Sequence, residues 1–442
     1  MFKRFSQLAI SMRIGAMLGL KQVRYTSIWT NLMIIAIMTL TFVNLVAVSG
    51  ILEGLIVGGN RANESLYTGG VFVRDLPEED FIVNTQQILK TLEVTPGVES
   101  ISPRYLSSSV IEANSILRRN FEDPADTVPT TLAGISPDDE EFTTGFSSSL
   151  IEGEMLSPGE SGYIIVGSTL LRKYSNFDDL FEPLEDVFIG DVIKVSVSNQ
   201  NLAELTGADG SIDQDSINTR SVQEFIVKGI IDSKVGEVSG RVFITEADFR
   251  RLTARTSLNA DEIAVRVTDG VDHQSVKAAL VDAGFDRYAK IQTAQEAIPK
   301  FLSDIQSAFA LVGIIIGSIG IVVASITIFI VIYINAITRR KYIGILKAIG
   351  IHRPAIIFAY VLQAMIYAVV GTAIGLVLIY LLLIPAVQAN PIDFPFADGV
   401  LVAPFKGTAI RIAVLFGVTA LAGLIPAWLI VRQNTLNSIL GR

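Results

Sequence analysis

Two histidines, His273 and His352, and 44 carboxylates are the main acid–base side chains of a 442-residue chain that has no cysteine. Without a thiol there is no disulfide, no thiolate nucleophile, no Fe–S cluster and no thiolate zinc site. The histidines stand far apart in sequence and form no local metal cluster. Asp209-Gly210-Ser211-Ile212-Asp213-Gln214-Asp215 places three carboxylates in seven residues. It lacks the full spacing and closing glutamate of an EF-hand calcium loop, so we read it as a solvated acidic turn, and read Asp138-Asp139-Glu140-Glu141 the same way. No Gly-x-x-x-x-Gly-Lys-Ser/Thr, His-Glu-x-x-His or Gly-x-Ser-x-Gly occurs. Phosphate-cradling, zinc-protease and serine-hydrolase motifs are therefore missing. The expectation is a protein that is not itself an enzyme and binds no cofactor or metal directly.

The concentrated chemistry is basic. Arg339-Arg340-Lys341-Tyr342-Ile343-Gly344-Ile345-Leu346-Lys347-Ala348-Ile349-Gly350 continues into Ile351, His352 and Arg353. Ile343, Leu346, Ile349 and Gly350 follow helical spacing, with bases at both ends and at Lys347. Such a helix either rests on anionic headgroups or docks on a partner protein, and the residues leave both open. Residues 1–24 pose the same choice, with Phe5, Leu8, Ile10, Met12 and Ile14 interleaved with bases.

The elements around that segment are apolar. Half of the chain is hydrophobic, 18% is charged and the mean hydropathy is +0.49, where a soluble domain carries about 25% charge. A disordered chain, a small stapled domain and an ordinary soluble enzyme are excluded. Residues 25–52, 305–338, 354–392 and 412–431 are free of charge, and about 20 helical residues cross a bilayer. We expect an α-helical membrane protein with four transmembrane helices, at 31–55, 303–338, 354–384 and 408–431. Some 30 residues precede the first apolar core, and that core exceeds the roughly 7–15 residues of a signal peptide, which reads as a retained anchor. The apolar bodies hold no Asp, Glu, Lys or Arg, the groups that ion relays use. Gly313, Gly317 and Gly320 in span two, and Gly371 and Gly375 in span three, suit close helix packing, sliding or dimerisation.

Charge sets the expected direction. Residues 1–30 form a basic amphipathic segment without an acid, the turn 339–353 is basic without an acid, and Arg432 and Arg442 fall in the tail 432–442. The loop 385–407 carries Asp393 and Asp398 against Lys406. The positive-inside rule puts both termini and the 339–353 turn in the cytoplasm. Residues 56–302 then form a large mixed α+β extracytoplasmic domain between spans one and two. From Glu53 to Asp304 there are 42 acids and 21 bases, a net of −21, which disfavours nucleic acid as a partner.

Alternation predicts strands at 192–198, 224–231, 241–245 and 262–267. Helices are expected at 85–92, 168–174, 246–253, 272–283 and 294–308. The last would run unbroken into span two as a lever, with Pro299 inside it. An inserted lobe at about 131–239 would sit on an outer lobe built from 56–130 and 240–302.

The chain resembles the FtsX/MacB-type permease family of mechanotransmitting ABC systems. The likeness lies in one span, a large external domain, three further spans and the segment Arg339 to Gly350, with Tyr342 where the family commonly has glutamate. Gly153-Glu154-Met155-Leu156, Ile164 to Leu171, Ile189 to Val195 and Phe225 to Ile231 look like its external lobe. The tail Asn437 to Arg442 lacks the proline usual before its end. The resemblance implies a permease paired with a second copy or a homologous permease, and two copies of a cytoplasmic P-loop ATPase that hold ATP and Mg. The 339–353 helix, with Arg339 to Gly350 as its coupling residues, would link ATP-driven closure of those subunits to movement of spans one and two. It further implies residence in a bacterial inner membrane, contact with membrane lipid, and export or release of a lipoprotein, peptide, toxin or drug with a periplasmic adaptor or lipoprotein carrier. Regulation of cell-wall hydrolases is the family's other branch, and a non-transport membrane sensor or scaffold is the competing class.

Overall fold

In the computed structural model two helices lead, α1 (Phe2–Tyr25) and α2 (Ile28–Asn63), and α2 passes directly into a π-helical turn at Glu64–Thr68. The structure describes every residue except 1, 78, 115–124, 175–181, 199–218, 299, 391, 395–396, 400 and 433–442. Then come β1 (Val71–Arg74), α3 (Thr85–Val94), β2 (Val98–Ala113), β3 (Asp126–Ile135), α4 (Pro137–Thr144), β4 (Leu150–Gly153) and β5 (Tyr163–Gly167). They are followed by β6 (Val192–Ser198), β7 (Thr219–Ile231), α5 (Gly236–Ser239), β8 (Arg241–Thr245), α6 (Glu246–Thr253), β9 (Glu262–Val267), α7 (His273–Asp282) and β10 (Lys290–Thr293). The remainder is mainly helical: α8 (Lys300–Thr338), α9 (Arg340–Ala348), α10 (Arg353–Val377), α11 (Ile384–Ala389) and α12 (Phe405–Val431). Two units result. One holds Met1–Ile56, Ser303–Asp393 and Gly399–Arg442, the other Val57–Leu302 and Phe394–Asp398.

Among the described residues four helical stretches are long and apolar enough to cross a membrane, Ile28–Thr68, Ser303–Thr338, Arg353–Ala389 and Phe405–Val431. Each contains the corresponding expected span, and the first and third run several residues beyond it. Helical backbone pairs most of its own polar groups, as a hydrocarbon layer demands, although Pro426 inside α12 removes one donor from the ladder. Small residues decide which helices touch closely. A methyl on Gly371 would lie 2.5 Å from Met38 Cβ, and one on Gly375 would lie 2.6 Å from Phe42 Cδ1, so α10 is pressed against α2. Thr39 Oγ1 donates to Gly371 O at 3.2 Å across that seam. Gly313 and Gly317 of α8 face the ends of Leu52 and Leu45, while a methyl added to Gly320 would meet only Asn44 Oδ1, at an ordinary contact distance of 3.5 Å. A pair absent from the expected set, Gly15 and Gly19, brings α1 onto α10, where added methyls would meet Ala355 O at 2.6 Å and Ala359 O at 2.8 Å. Its Gly-x-x-x-Gly spacing was visible in the sequence.

In the second unit β1 to β10 form one sheet in the order β10-β1-β9-β2-β3-β8-β5-β7-β4, with β6 paired to β2 and β7. Both faces of β1, β5 and β8 are covered, so these strands are apolar almost throughout. Val71, Val73, Ile164, Val166, Val242 and Ile244 enter one core, while Phe72, Ile165 and Phe243 enter the other. The strands expected at 192–198, 241–245 and 262–267 are β6, β8 and β9, and that at 224–231 is the second half of β7.

Three expectations change. The seam between lobes lies inside β2: Val98–Arg104 pairs with β9, whereas Tyr105–Ala113 pairs with β3. The lobe expected at 131–239 therefore also takes in the end of β2 and β8, which sits between β3 and β5. Alternation marks a strand but does not name its partner, and β2, at 16 residues, is long enough to serve two. The helix expected at 168–174 is a 3-10 turn, Ser168–Leu170, because Leu171 bridges to Leu184. The expected lever from 294 is shorter, since 294–297 are turns and α8 begins at Lys300. Pro299 disfavours helical backbone at the residue before it, and itself lies outside the described residues.

Gly371→Ala is expected to cost about 1–3 kcal/mol by overpacking against Met38. Gly320→Ala, with room for its methyl, should be neutral or stabilise by about 0.5–1 kcal/mol. Thermal unfolding of the purified full chain in one detergent checks the pair, and equal effects would mean that α2 and α10 are not tightly packed at Gly371.

Candidate functional site

Helix α9 (Arg340–Ala348) lies between two long apolar helices and presents two apolar sides. Ile343 and Gly344 are buried and Leu346 is half-buried. Tyr342, Ile345 and Ile349 are 65%, 50% and 69% exposed. The sequence grouped Ile349 with Ile343 and Leu346, but the helix ends at Ala348 and turns Ile349 outward. That end is a Schellman cap. Gly350 adopts φ +92, the Gly350 amide donates to Lys347 O at 3.1 Å, and the Ile351 amide donates to Leu346 O at 3.0 Å. Only glycine takes that φ without strain, which fixes the role of Gly350. Leu346 and Ile351 pack on the same core beside the cap.

The basic residues divide by position. Arg339 precedes α9, and its guanidinium donates to Tyr25 O and Thr26 Oγ1, each at 3.4 Å. Arg340 is half-buried, while Lys341 and Ala348 face outward. Burial first, and then the Arg353 charge, push the Lys347 ammonium below its ordinary value. A short polar chain continues nearby. Tyr367 OH donates to Asn31 Oδ1 at 2.6 Å, Gln363 Nε2 donates to Tyr367 OH at 3.1 Å, and Asn31 Nδ2 donates to Val23 O at 2.9 Å. The α1–α2 turn is thereby tied to α10, and Arg339 adds a link from the end of α8.

The second unit holds a buried ionic cluster that the sequence reading missed. Arg104 on β2 stands directly opposite Glu262 on β9. Two residues earlier on the same strand face, Ser102 reaches the carboxylate that Arg104 holds. That carboxylate is Glu140. It accepts from Arg104 Nε at 2.9 Å, Arg104 Nη2 at 2.6 Å, Ser102 Oγ at 2.6 Å and Thr144 Oγ1 at 2.8 Å. Glu262 accepts from both Nη atoms of Arg241, at 3.1 and 3.2 Å, and from Tyr67 OH at 2.7 Å. The Tyr67 ring lies under Arg104 and Arg241, at 4.7 and 5.4 Å. Two arginines and two glutamates leave the cluster formally neutral.

The acidic run Asp138–Glu141 is thus not a solvated turn. Pro137 and three acids open α4, as the helix dipole favours, and Glu140, 1% exposed, faces inward. Its sequence signal is weak because a helix start and an acidic turn share composition. Burial alone would raise Glu140, but the Arg104 charge and the hydrogen bonds hold it below the usual carboxylate range. Glu262 is likewise raised by burial and brought lower by Arg241 and Arg104. Burial pushes the Tyr67 phenol up, so it stays a donor. Asp261, beside Arg255, is raised by burial to about 6 against that guanidinium. The 209–215 acidic run lies outside the described residues, and among the described residues no cluster of His, Asp and Glu could hold a metal ion.

Four apolar spans, a basic helix between the second and third, and a mixed α+β domain between the first and second define a multi-span membrane protein with a large inserted domain. The MacB-like periplasmic core domain family matches residues 30–283, and the FtsX-like permease C-terminal family matches residues 314–435. The chain belongs to the FtsX/MacB-type family of ABC transporter permeases. An uncharacterized ABC transporter permease of Methanocaldococcus jannaschii is 22% identical over 298 residues, which cover 66% of this chain. The chain spans 64% of that relative's length. The crystal structure of the periplasmic region of MacB from Actinobacillus actinomycetemcomitans is 11% identical, covering 52% of this chain and 90% of its own at a TM-score of 0.33. That of the extracellular domain of the noncanonic ABC-type transporter YknZ from Gram-positive bacteria is 8% identical, covering 50% and 99%, at a TM-score of 0.28. Likenesses this distant carry no functional conclusion.

Glu140 and Glu262 are depressed in the folded state, so their stabilisation is full above the ordinary value of 4.5 and is lost as pH falls through the lower folded values. Arg104→Met should cost about 3–5 kcal/mol at pH 7 by stranding Glu140, and the joint Arg104→Met/Glu140→Met change should recover most of it. The Arg104→Met penalty should shrink on acidification. Hydrogen exchange of β2 and β9 in the full chain reads all three. A loss below about 1 kcal/mol would show the cluster to be dispensable.

Proposed function

We propose that this chain is the permease subunit of an ATP-driven ABC system that performs export or mechanical work on an extracytoplasmic substrate. Helix α9 is the docking element for a cytoplasmic P-loop ATPase. The observation that carries this is the outward face of Tyr342 and Ile345 on α9, continued by Ile349 at its cap, while the helix's other side is packed. A small exposed apolar patch rimmed by bases fits a protein groove better than open water. ATP and Mg belong to the ATPase, and two permease copies with two ATPase copies make the working assembly. The charge distribution supports both termini and α9 on the cytoplasmic side of a bacterial inner membrane, with the acidic unit outside.

Motion of α9 would reach the α1–α2 turn through Arg339, and α10 through the capped turn at Gly350. Spans with apolar bodies and closely packed glycines suit the transmission of motion. The exposed apolar face of α8, including Ile315, Ile319, Val322 and Ile326, is available to acyl chains or to a second permease copy. A lipoprotein, peptide, toxin or drug is the cargo class, delivered with a periplasmic adaptor or carrier.

Affinity purification in mild detergent followed by intact-complex mass spectrometry tests the proposal. Two copies of this chain with two of a P-loop ATPase are expected. Tyr342→Asp with Ile345→Asp should lower ATPase recovery about tenfold or more, as loss of central interface residues does, while leaving the fold intact. Leu346→Asp should instead destabilise the chain, because Leu346 faces the core. An active preparation that reproducibly lacks an ATPase would overturn the proposal in favour of a membrane sensor or scaffold.

A further inference from the structure

At the basic ends of α10 and α12 a groove of about 690 Å³ opens between the two helices. Arg353 and Arg432 stand among its lining residues, with Phe358, Val361, Leu424 and Trp428. The guanidinium of Arg432 lies over the Trp428 ring, 4.8 Å from its centre. The lining therefore changes character along its length: two fixed positive charges at the helix ends, then apolar side chains belonging to the spans. From 305 to 392 and from 399 to 442 the chain has no Asp or Glu. The segments that build the groove therefore contain no carboxylate side chain to neutralise these arginines. Arg353 also opens α10, where the helix dipole adds to the attraction for an anion.

We infer that this groove binds one anionic phospholipid per chain. Its phosphate sits between Arg353 and Arg432, and an acyl chain lies along Phe358, Val361 and Leu424. The chemistry favours a lipid over a soluble protein because the apolar part lies within the membrane-spanning helices. Trp428 marks the level where an amphipathic ring meets headgroups. Arginine suits a phosphate by its planar, forked set of donors. The inference rests on the membrane reading of α10 and α12 and is independent of the ATPase.

The test is native mass spectrometry of the full chain in detergent, titrated separately with phosphatidylglycerol and phosphatidylcholine. Phosphatidylglycerol should bind as a single retained lipid at lower concentration. Arg353→Gln with Arg432→Gln should weaken it about tenfold or more and leave phosphatidylcholine unchanged. Leu424→Trp, which fills the groove at an exposed position, should weaken both lipids with the arginines intact, so the inference stays testable if the double variant does not assemble. Equal retention of the two lipids by the unaltered chain would overturn the inference, as would phosphatidylglycerol binding indifferent to both sets of changes. If the arginine variant kept the lipid but lost a co-purifying protein, the arginines would belong to a protein interface and the inference would fall. Loss of the ATPase in the Tyr342/Ile345 variant with lipid retained would touch only the docking proposal.

Discussion

Taking a charge out of water is costly, and both units of this protein are arranged around that cost. In the helical unit the response is exclusion: the apolar bodies of the spans carry no charged side chain, and the bases collect at helix ends and in α9. In the second unit the response is neutralisation. Arg104 and Arg241 are matched with Glu140 and Glu262, and the nearby hydroxyls of Ser102, Thr144 and Tyr67 take up lone pairs that would otherwise be stranded. A buried pair of this kind adds little net stability compared with an apolar replacement. It does dictate geometry, because each carboxylate accepts in a fixed direction. The seam within β2 falls where Arg104 faces Glu262 and α4 lowers Glu140 onto the strand. The cluster therefore pins the junction of the two lobes.

Exclusion shapes the helical unit in a second way. Helices stripped of charge have only shape with which to recognise one another, since lipid tails are as apolar as leucine. Glycines set the distances: Gly371 and Gly375 of α10 against α2, and Gly15 and Gly19 of α1 against α10. The polar contacts are few: Arg339, Asn31, Tyr367 and Gln363 near the α1–α2 turn, Thr39 to Gly371 O within the spans, and Glu53 with Arg411 and Tyr380 with Ala403 O toward the opposite ends. A unit built in this way has close apolar packing along its length and specific contacts mainly toward the ends of its helices. That arrangement suits elements that shift as bodies, and gives a physical basis for the proposed work by movement instead of conduction.

Much of the architecture was legible in the residues. A run of about 20 uncharged apolar positions has few alternatives to a membrane helix, so the four spans and the domain between the first two could be read directly. The same holds for β6, where alternation and burial coincide, for β8 and β9, which are buried on both faces, and for the basic segment as the place of interest. The family resemblance rested on that layout and on the segment Arg339 to Gly350, and the family matches over 30–283 and 314–435 bear it out. Pairing was not legible. β2 changes partner midway, 294–297 form turns where a continuous helix was expected, and Glu140 leaves an apparently solvated run to meet an arginine 36 positions earlier. Ile349 joined the apolar stripe of α9 by spacing, yet the cap at Gly350 turned it outward. The division has one cause. Hydrophobicity and its period are properties of a residue and its close neighbours in sequence, so the chain alone determined the spans and several strands. The direction of a side chain and the identity of its partner depend on segments distant in sequence. Only the tertiary structure decided the ionic cluster, the outward face of α9 and the groove between α10 and α12.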